Sequence, residues 1–512
     1  MFDFSNNMPA RIAHKEVLND NLTPLSALLA LEAKVLLESA YNETGKDRYS
    51  ILIINEAFRI YKESAQHWFM CNGVKSPVKE AFAGYVDNAE IMRSCRVKEG
   101  ERGFLETLAL VRTLAPDPYS LESHAKGSAP LPPNLPLPLG GAGYLGYEFF
   151  SEIERVSFSN PPLYHAPECA FIFGRDFLIF DHLYDRLHIV SVSYAYEQQP
   201  PEPAARVDSL IQRLKNTPPT LSPQEQQPYT IERATTREAY ESMVREIKAR
   251  IYRGDMLQCV PSQSMEVASA LPPLQAYRRL RHQNPSPYMF YYDFGDFVVL
   301  GASPEIMIRL KSVENRSFFT LRPIAGTRPR GENVARDLEL ESELLNDEKE
   351  NAEHLMLVDL ARNDAGRVSV GGGVSVLERN KIERYSRVMH IVSEVRGELD
   401  SKRFSKRDAL KAAFPAGTLT GAPKIEAIRT IESLESHARG VYGGAIGYFT
   451  RDEDMDFAIA IRTAVYQNGV YYLRSGAGVV YDSNPHTEYI ETQNKVRSQL
   501  DMLGGSDDIT HR

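Results

Sequence analysis

Two pairs of glutamates stand three residues apart in widely separated parts of the chain: Glu350 and Glu353 in KENAEH, and Glu488 and Glu491 in EYIET. In a helix, positions i and i+3 share a face, so two helices could turn carboxylates toward one point. Hard oxygen donors arranged this way suit Mg²⁺, which keeps waters and takes its remaining ligands from a substrate. The same spacing also describes an ordinary solvated helix face. The apolar run LMLVDLARND directly after Glu353 and His354 would bury that turn and favours the first reading. Glu305, in GASPE, sits at a Ser-Pro turn and would act as an acid near neutral pH only if burial raised its pKa. Arg462, in AIAIRTAV, stands among apolar residues on what reads as an inner strand. A charge there needs a carboxylate, either a ligand's or a protein Asp. His390, in VMHIVS, reads as a proton carrier or as a hydrogen-bonded core histidine. In FPAGTLTGAPKIEAIR, residues 414–429, Gly417 and Gly421 with Pro415 and Pro423 predict a loop whose N–H groups can approach an anion, ahead of a helix. Lys424 reads as a counter-charge for that loop and helix.

The elements needed to position these groups are visible as periodicities. NLTPLSALLALEAKVLLES reads as one helix capped by Thr23 with Pro24 in its first turn. RYSILIINEAFRIYKE and CAFIFGRDFLIFDHLYDRLHIVSVSY read as strands. Residues 197–233, rich in proline and glutamine around a short helical piece, read as a linker between a segment 1–196 and a segment 234–505. Beyond it, TTREAYESMVREIKARIYRGD is a Thr-capped helix stopping at Gly254, and 334–362 a long helix broken near Asn346. PYMFYYDFGDFVVLGAS is a hairpin. DFAIAIRTAVYQ reads as one strand, and PHTEYIETQNKVRSQLDML as a closing helix. Many hairpin-joined strands with helices between groups of them argue for an α+β fold with large, mainly antiparallel sheets.

Composition narrows the function. With 43% hydrophobic and 25% charged residues the 512-residue chain has material for a sizeable core. Net charge is −9, without a long basic run, which argues against nucleic acid. The four cysteines are too far apart for a CxxC pair, the N-terminus lacks the build of a signal peptide, and no apolar run reaches the roughly 18 residues of a membrane span. These features predict a cytoplasmic protein.

PAGTLTGAPK resembles the signature of the chorismate-utilising enzymes, and the blocks around it most resemble anthranilate synthase component I. The resemblance is dense over 240–500 and looser over 20–190. It implies a β-sandwich of facing sheets with helices outside, and Mg²⁺ held by Glu353 and Glu491 with Glu350 and Glu488 behind them. It implies Glu305 as general acid, and Thr418 and His390 as groups acting near the ring and in pyruvate release. Chorismate contacts implied are Gly326, Thr327, Tyr442, Arg462, Gly476, Ala477 and Gly478.

Three features discriminate within the resemblance. Gln258 stands where water-adding relatives carry a lysine base, and an amide cannot serve as one. Ala325 stands where many aminodeoxychorismate synthases have a nucleophilic lysine, which points to free ammonia. LLES with NPSPYMFY resembles a tryptophan pocket formed by Ser39, Pro287, Tyr288 and Met289. Gln263 departs from a basic residue frequent in relatives. No glutaminase signature of the nucleophilic cysteine type is present. The resemblance therefore implies a separate glutamine amidotransferase subunit, component II, in an assembly of two large and two small subunits. The rival readings are an aminodeoxychorismate synthase component and a catalytically inactive tryptophan-binding protein.

Overall fold

The computed structural model describes residues 9–39, 48–98, 100–101, 103–197, 202–215, 228–385 and 388–504. Two long strands organise it. Tyr49–Glu63 and Cys169–Asp181 pair antiparallel, with register shifts between Ile53 and Phe58 that bend the pair, so its two halves enter different sheets.

The first sheet runs in spatial order Ile12–Leu18, Arg186–Val192, Cys169–Asp181, Tyr49–Glu63, Val35–Glu38, Tyr288–Asp293, Val298–Ser303, Thr463–Gln467, Val470–Gly476, Ser262–Ser269 and Tyr229–Ala234. The second continues from the far half of Cys169–Asp181 through Ala142–Leu145, Ala445–Phe449, Met455–Ile459, Ile306–Val313 and Arg316–Leu321 to Val388–Leu399. That last strand carries Ile324–Pro329 and Ser369–Arg384 as further partners. All these pairings are antiparallel.

Alternation along one strand shows how the layers stack. Val299 packs into a core shared with Ile308, Phe319 and Phe457 of the second sheet. Its neighbour Leu300 faces the opposite way, with Leu28, Tyr277, Leu280, Val496 and Leu500 of the covering helices. The α+β architecture of facing antiparallel sheets with helices outside is therefore the observed one. Strand pairs cross the 197–233 stretch, for example Met289 with Glu38 and Ala445 with Leu145, so the segments on either side of it share both sheets. Residues 198–201 and 216–227 of that stretch lie outside the described residues, and Pro203–Lys215 is a helix.

Two expectations are corrected. The helix capped by Thr23 spans only Pro24–Leu31 and ends at Glu32, whose φ of 51° turns the chain. The residues Val35–Glu38 that follow are a strand between Tyr49–Glu63 and Tyr288–Asp293. An apolar run buried on both faces has the same hydrophobic pattern in a helix or a strand. DFAIAIRTAVYQ is likewise two strands, Met455–Ile459 in the second sheet and Thr463–Gln467 in the first. Arg462 lies in the crossing, at φ 50°.

Candidate active site

The two glutamate pairs open two helices. Glu348–Gly366 starts at Asp347, whose carboxylate accepts the N–H groups of Lys349 and Glu350. Pro485–Leu503 starts at Asn484, whose side chain accepts those of His486 and Thr487. The pairs meet. Burial pushes the Glu353 carboxyl above its ordinary pKa, and the negative charges of Glu350 and Glu491 push it further. Burial raises Glu350 and Glu488 in the same direction. Glu353 Oε1 accepts a hydrogen bond from Gln258 Nε2 at 3.3 Å, and Glu491 Oε1 lies 2.7 Å from Lys495 Nζ. Carboxylates that raise one another's proton affinity fit a cation. No group of three or more His, Cys, Asp or Glu side chains among the described residues forms a ready-made cage. Glu353 and Glu491 are the two carboxylates that could hold a hard cation such as Mg²⁺, which takes its remaining ligands from water and substrate.

Glu305 is buried between the strands Val298–Ser303 and Ile306–Val313. Its Oε1 accepts the Thr418 hydroxyl at 2.8 Å, and burial pushes its pKa up to about 8. The carboxyl is therefore protonated near neutral pH. His390, on Val388–Leu399, pairs in register with Thr327. Its Nδ1 lies 2.9 Å from the Gly326 carbonyl, which can only accept, so the ring proton sits on Nδ1 and Nε2 keeps its lone pair. The Thr327 hydroxyl is 3.1 Å from the same nitrogen. Burial lowers the His390 pKa to about 4, keeping the imidazole neutral. Gly326 has φ 67°, and a Cβ there would come within 3.3 Å of Glu350 Oε2. This turn joins the histidine to the first glutamate pair.

Arg462 has no carboxylate partner among the described residues. Nη1 donates to the Lys495 carbonyl at 3.1 Å, and burial lowers the guanidinium's pKa. The ion pair with a protein Asp is thus not found. Tyr442, buried and with its pKa raised to about 12, lies beside Gly476. A Cβ on Gly476 would meet the Tyr442 hydroxyl at 3.0 Å, and one on Gly478 would stand 2.8 Å from Gln258 Nε2 and 3.7 Å from Glu353 Oε1. Gly476, Ala477 and Gly478 thus run between the tyrosine and the carboxylates. Lys495 links the parts, with Nζ 3.0 Å from the Gly476 carbonyl. It was missed from the sequence, although its place one helical turn after Glu491 is a readable signal.

The glycine-rich loop satisfies two of its N–H groups internally. The N–H groups of Leu419 and Thr420 bond the carbonyls of Ala416 and Gly417, so they do not cradle an anion. The glycines serve close packing instead: a Cβ on Gly417 would meet Leu360 at 2.0 Å, and one on Gly421 the Gln258 carbonyl at 2.1 Å. What the loop contributes to the site is the Thr418 hydroxyl. Lys424 balances Asp364, at 2.9 Å.

Residues 60–501 match the chorismate binding enzyme family. The chain belongs to that family. It is 38% identical over 496 residues to anthranilate synthase component 1 of Spirochaeta aurantia, spanning 96% of this chain and 95% of the relative. It is 45% identical over 388 residues to the Pseudomonas aeruginosa protein of the same name, spanning 74% of this chain and 78% of the relative. The crystal structure of anthranilate synthase component I from Streptococcus pneumoniae superposes with a TM-score of 0.69 at 33% identity, covering 88% of this chain and 92% of that one.

Within this chorismate binding enzyme a second cavity, of about 510 Å³, opens between the N-terminal strands and Tyr288–Asp293. Ser39, Pro287, Tyr288 and Met289 line it together, with Leu37, Glu38, Arg309 and Asp456. The Tyr288 hydroxyl donates to Asp456 Oδ1 at 2.9 Å and accepts from Arg309 Nη2 at 3.0 Å. Glu38 Oε1 holds Tyr277 and Arg281, at 2.8 and 2.7 Å, while its buried Oε2 has no hydrogen-bond partner among the described residues. No helix among the described residues is long and apolar enough to cross a membrane.

Proposed function

We propose that the chain is the chorismate-aminating component of an anthranilate synthase, converting chorismate and ammonia to anthranilate, pyruvate and water. The observation that carries this reading is Glu305: a buried carboxyl, protonated near neutral pH and hydrogen-bonded by Thr418. It can protonate the C4 hydroxyl, a poor leaving group otherwise, as ammonia forms its bond to C2 and the ring double bonds shift. The neutral His390 Nε2 is the base available for the C2 proton while the C3–O bond breaks and pyruvate leaves. Arg462, which forms no ion pair among the described residues, takes a substrate carboxylate. Mg²⁺ on Glu353 and Glu491 would hold the other carboxylate and draw charge from the ring.

Ammonia as nucleophile is supported by Gln258. Its amide donates to Glu353, and its buried Oε1 has no partner among the described residues, leaving an acceptor for an N–H donor. The relatives' shared name, component 1, supports a companion component that releases ammonia from glutamine. The purified chain should therefore turn over chorismate with an ammonium salt and Mg²⁺ but not with glutamine. Turnover with glutamine by the chain alone would contradict this reading.

The second cavity is assigned to tryptophan as feedback inhibitor, its apolar wall taking the indole and Glu38 the ammonium group. Glu38→Gln keeps an oxygen for Tyr277 and Arg281 but removes the charge. Losing a hydrogen bond to a charged group, worth about 1.5–3 kcal/mol, should raise the tryptophan concentration for half inhibition about 10–100-fold. Uninhibited turnover should change little. Inhibition curves of the two proteins check this, and unchanged inhibition would remove Glu38 from the pocket.

A further inference from the structure

Behind the substrate-facing loops lies a buried charged cluster that the proposed reaction does not use: Glu435, Arg439 and Arg474, exposed by 7%, 3% and 6%. Glu435 Oε1 accepts the Ser262 N–H at 2.7 Å, the Ser262 hydroxyl at 2.8 Å and Arg439 Nη2 at 2.6 Å. Its Oε2 accepts Arg439 Nε at 3.1 Å and Arg474 Nη1 at 2.8 Å. Burial alone would raise this carboxyl's pKa, yet the two guanidinium groups hold it below its ordinary value.

Arg439 spends its other donors on main-chain carbonyls of the site. Nη1 donates to Leu419, next to Thr418, at 2.7 Å, and Nη2 to Val260, two residues after Gln258, at 2.6 Å. Its guanidinium lies 5.6 Å from the centre of the Tyr442 ring. The chain between Arg439 and Tyr442 is fixed from outside: Glu148 accepts the N–H groups of Arg439 and Gly440 at 2.7 and 3.1 Å, and the Tyr164 hydroxyl that of Val441 at 2.9 Å. Arg474 precedes Gly476 by two residues on the strand paired with Ser262.

We infer that Arg439, held by Glu435, is a positioning residue that sets the spacing of the Gln258, Thr418 and Tyr442 loops without touching substrate. This rests on the reading of the site given above. A buried Arg–Glu–Arg set is a poor way to stabilise a core, because desolvation offsets most of the Coulombic gain. What the rigid fork adds is geometry, several oxygens fixed at once, which an ammonium on a flexible stem does not reproduce. A displacement of about 1 Å in such loops costs on the order of 100-fold in rate.

The test is Arg439→Lys, with Arg474→Lys as a second variant on the same carboxylate should the first not fold. Arg439→Lys should lower kcat/KM for chorismate about 100-fold, with KM raised and kcat reduced together. It should weaken chorismate binding in calorimetry while circular dichroism matches the parent. Unchanged kcat and KM, or a loss that disappears at a temperature where the variant is fully folded, would overturn the inference. If the parent itself makes no anthranilate, the proposed reaction fails, and chorismate affinity still reports on the positioning.

Discussion

Replacing Glu305 by Gln lowers kcat by about 10²–10⁴-fold, the range set by removing a positioned proton donor. The amide keeps the shape of the carboxyl and still accepts the Thr418 hydroxyl, so binding of chorismate should survive. The pH profile gives the sharper signature. Because burial holds the Glu305 pKa near 8, the protonated, working form is full below that pH and is lost above it. Turnover divided by the free ammonia concentration should be flat below about pH 8 and fall about tenfold per pH unit above it. In Glu305→Gln that descending limb should vanish. Stability carries the opposite sign: a carboxyl whose folded pKa lies above its unfolded value costs stability as pH rises from its ordinary range toward 8. The variant should therefore be no less stable than the parent at alkaline pH. Full activity in Glu305→Gln would remove it as the acid.

Glu353→Gln should reduce Mg²⁺-dependent turnover about 1,000-fold or more, since such an ion contributes several kcal/mol of charge stabilisation. Folding should not suffer. The Glu353 carboxylate is buried against the charges of Glu350 and Glu491, so neutralising it relieves repulsion and should leave the melting temperature equal or higher. Glu491→Gln acts differently. That side chain is half exposed and paired with Lys495, so its stability cost is small, while the loss of activity should be similar. Mg²⁺ titration by calorimetry separates the outcomes: weakened binding with an intact fold supports the assignment, and a double variant still active with Mg²⁺ contradicts it.

Much of the scaffold was legible because local signals and tertiary demands agree. The helix over Arg237–Arg253 has its Thr236 cap and Gly254 stop, and Tyr288–Asp293 with Val298–Ser303 is the expected hairpin. Legibility failed where burial on both faces erases periodicity, as at Val35–Glu38, and where a strand changes sheets, as at Arg462. The i,i+3 spacing made the glutamate pairs visible, while the apolar run after Glu353 and the family resemblance were needed to set them apart from a solvated helix face. That Glu305 and His390 both lie near Lys495 was not legible, since each lies on a separate part of the sheets and nothing local marks it. Glu435, Arg439 and Arg474 were invisible for a related reason: their function resides in the carbonyls of Leu419 and Val260 and the N–H of Ser262, which no side-chain pattern encodes.

The most direct measurement is the identity of the products when the purified chain meets chorismate, Mg²⁺ and an ammonium salt at mildly alkaline pH, followed by fluorescence and mass. The account predicts anthranilate and pyruvate in equal amounts, suppressed by tryptophan. An aminated product that keeps its pyruvyl group would contradict the elimination step and assign the chain to aminodeoxychorismate formation, and no product at all would contradict the catalytic reading altogether.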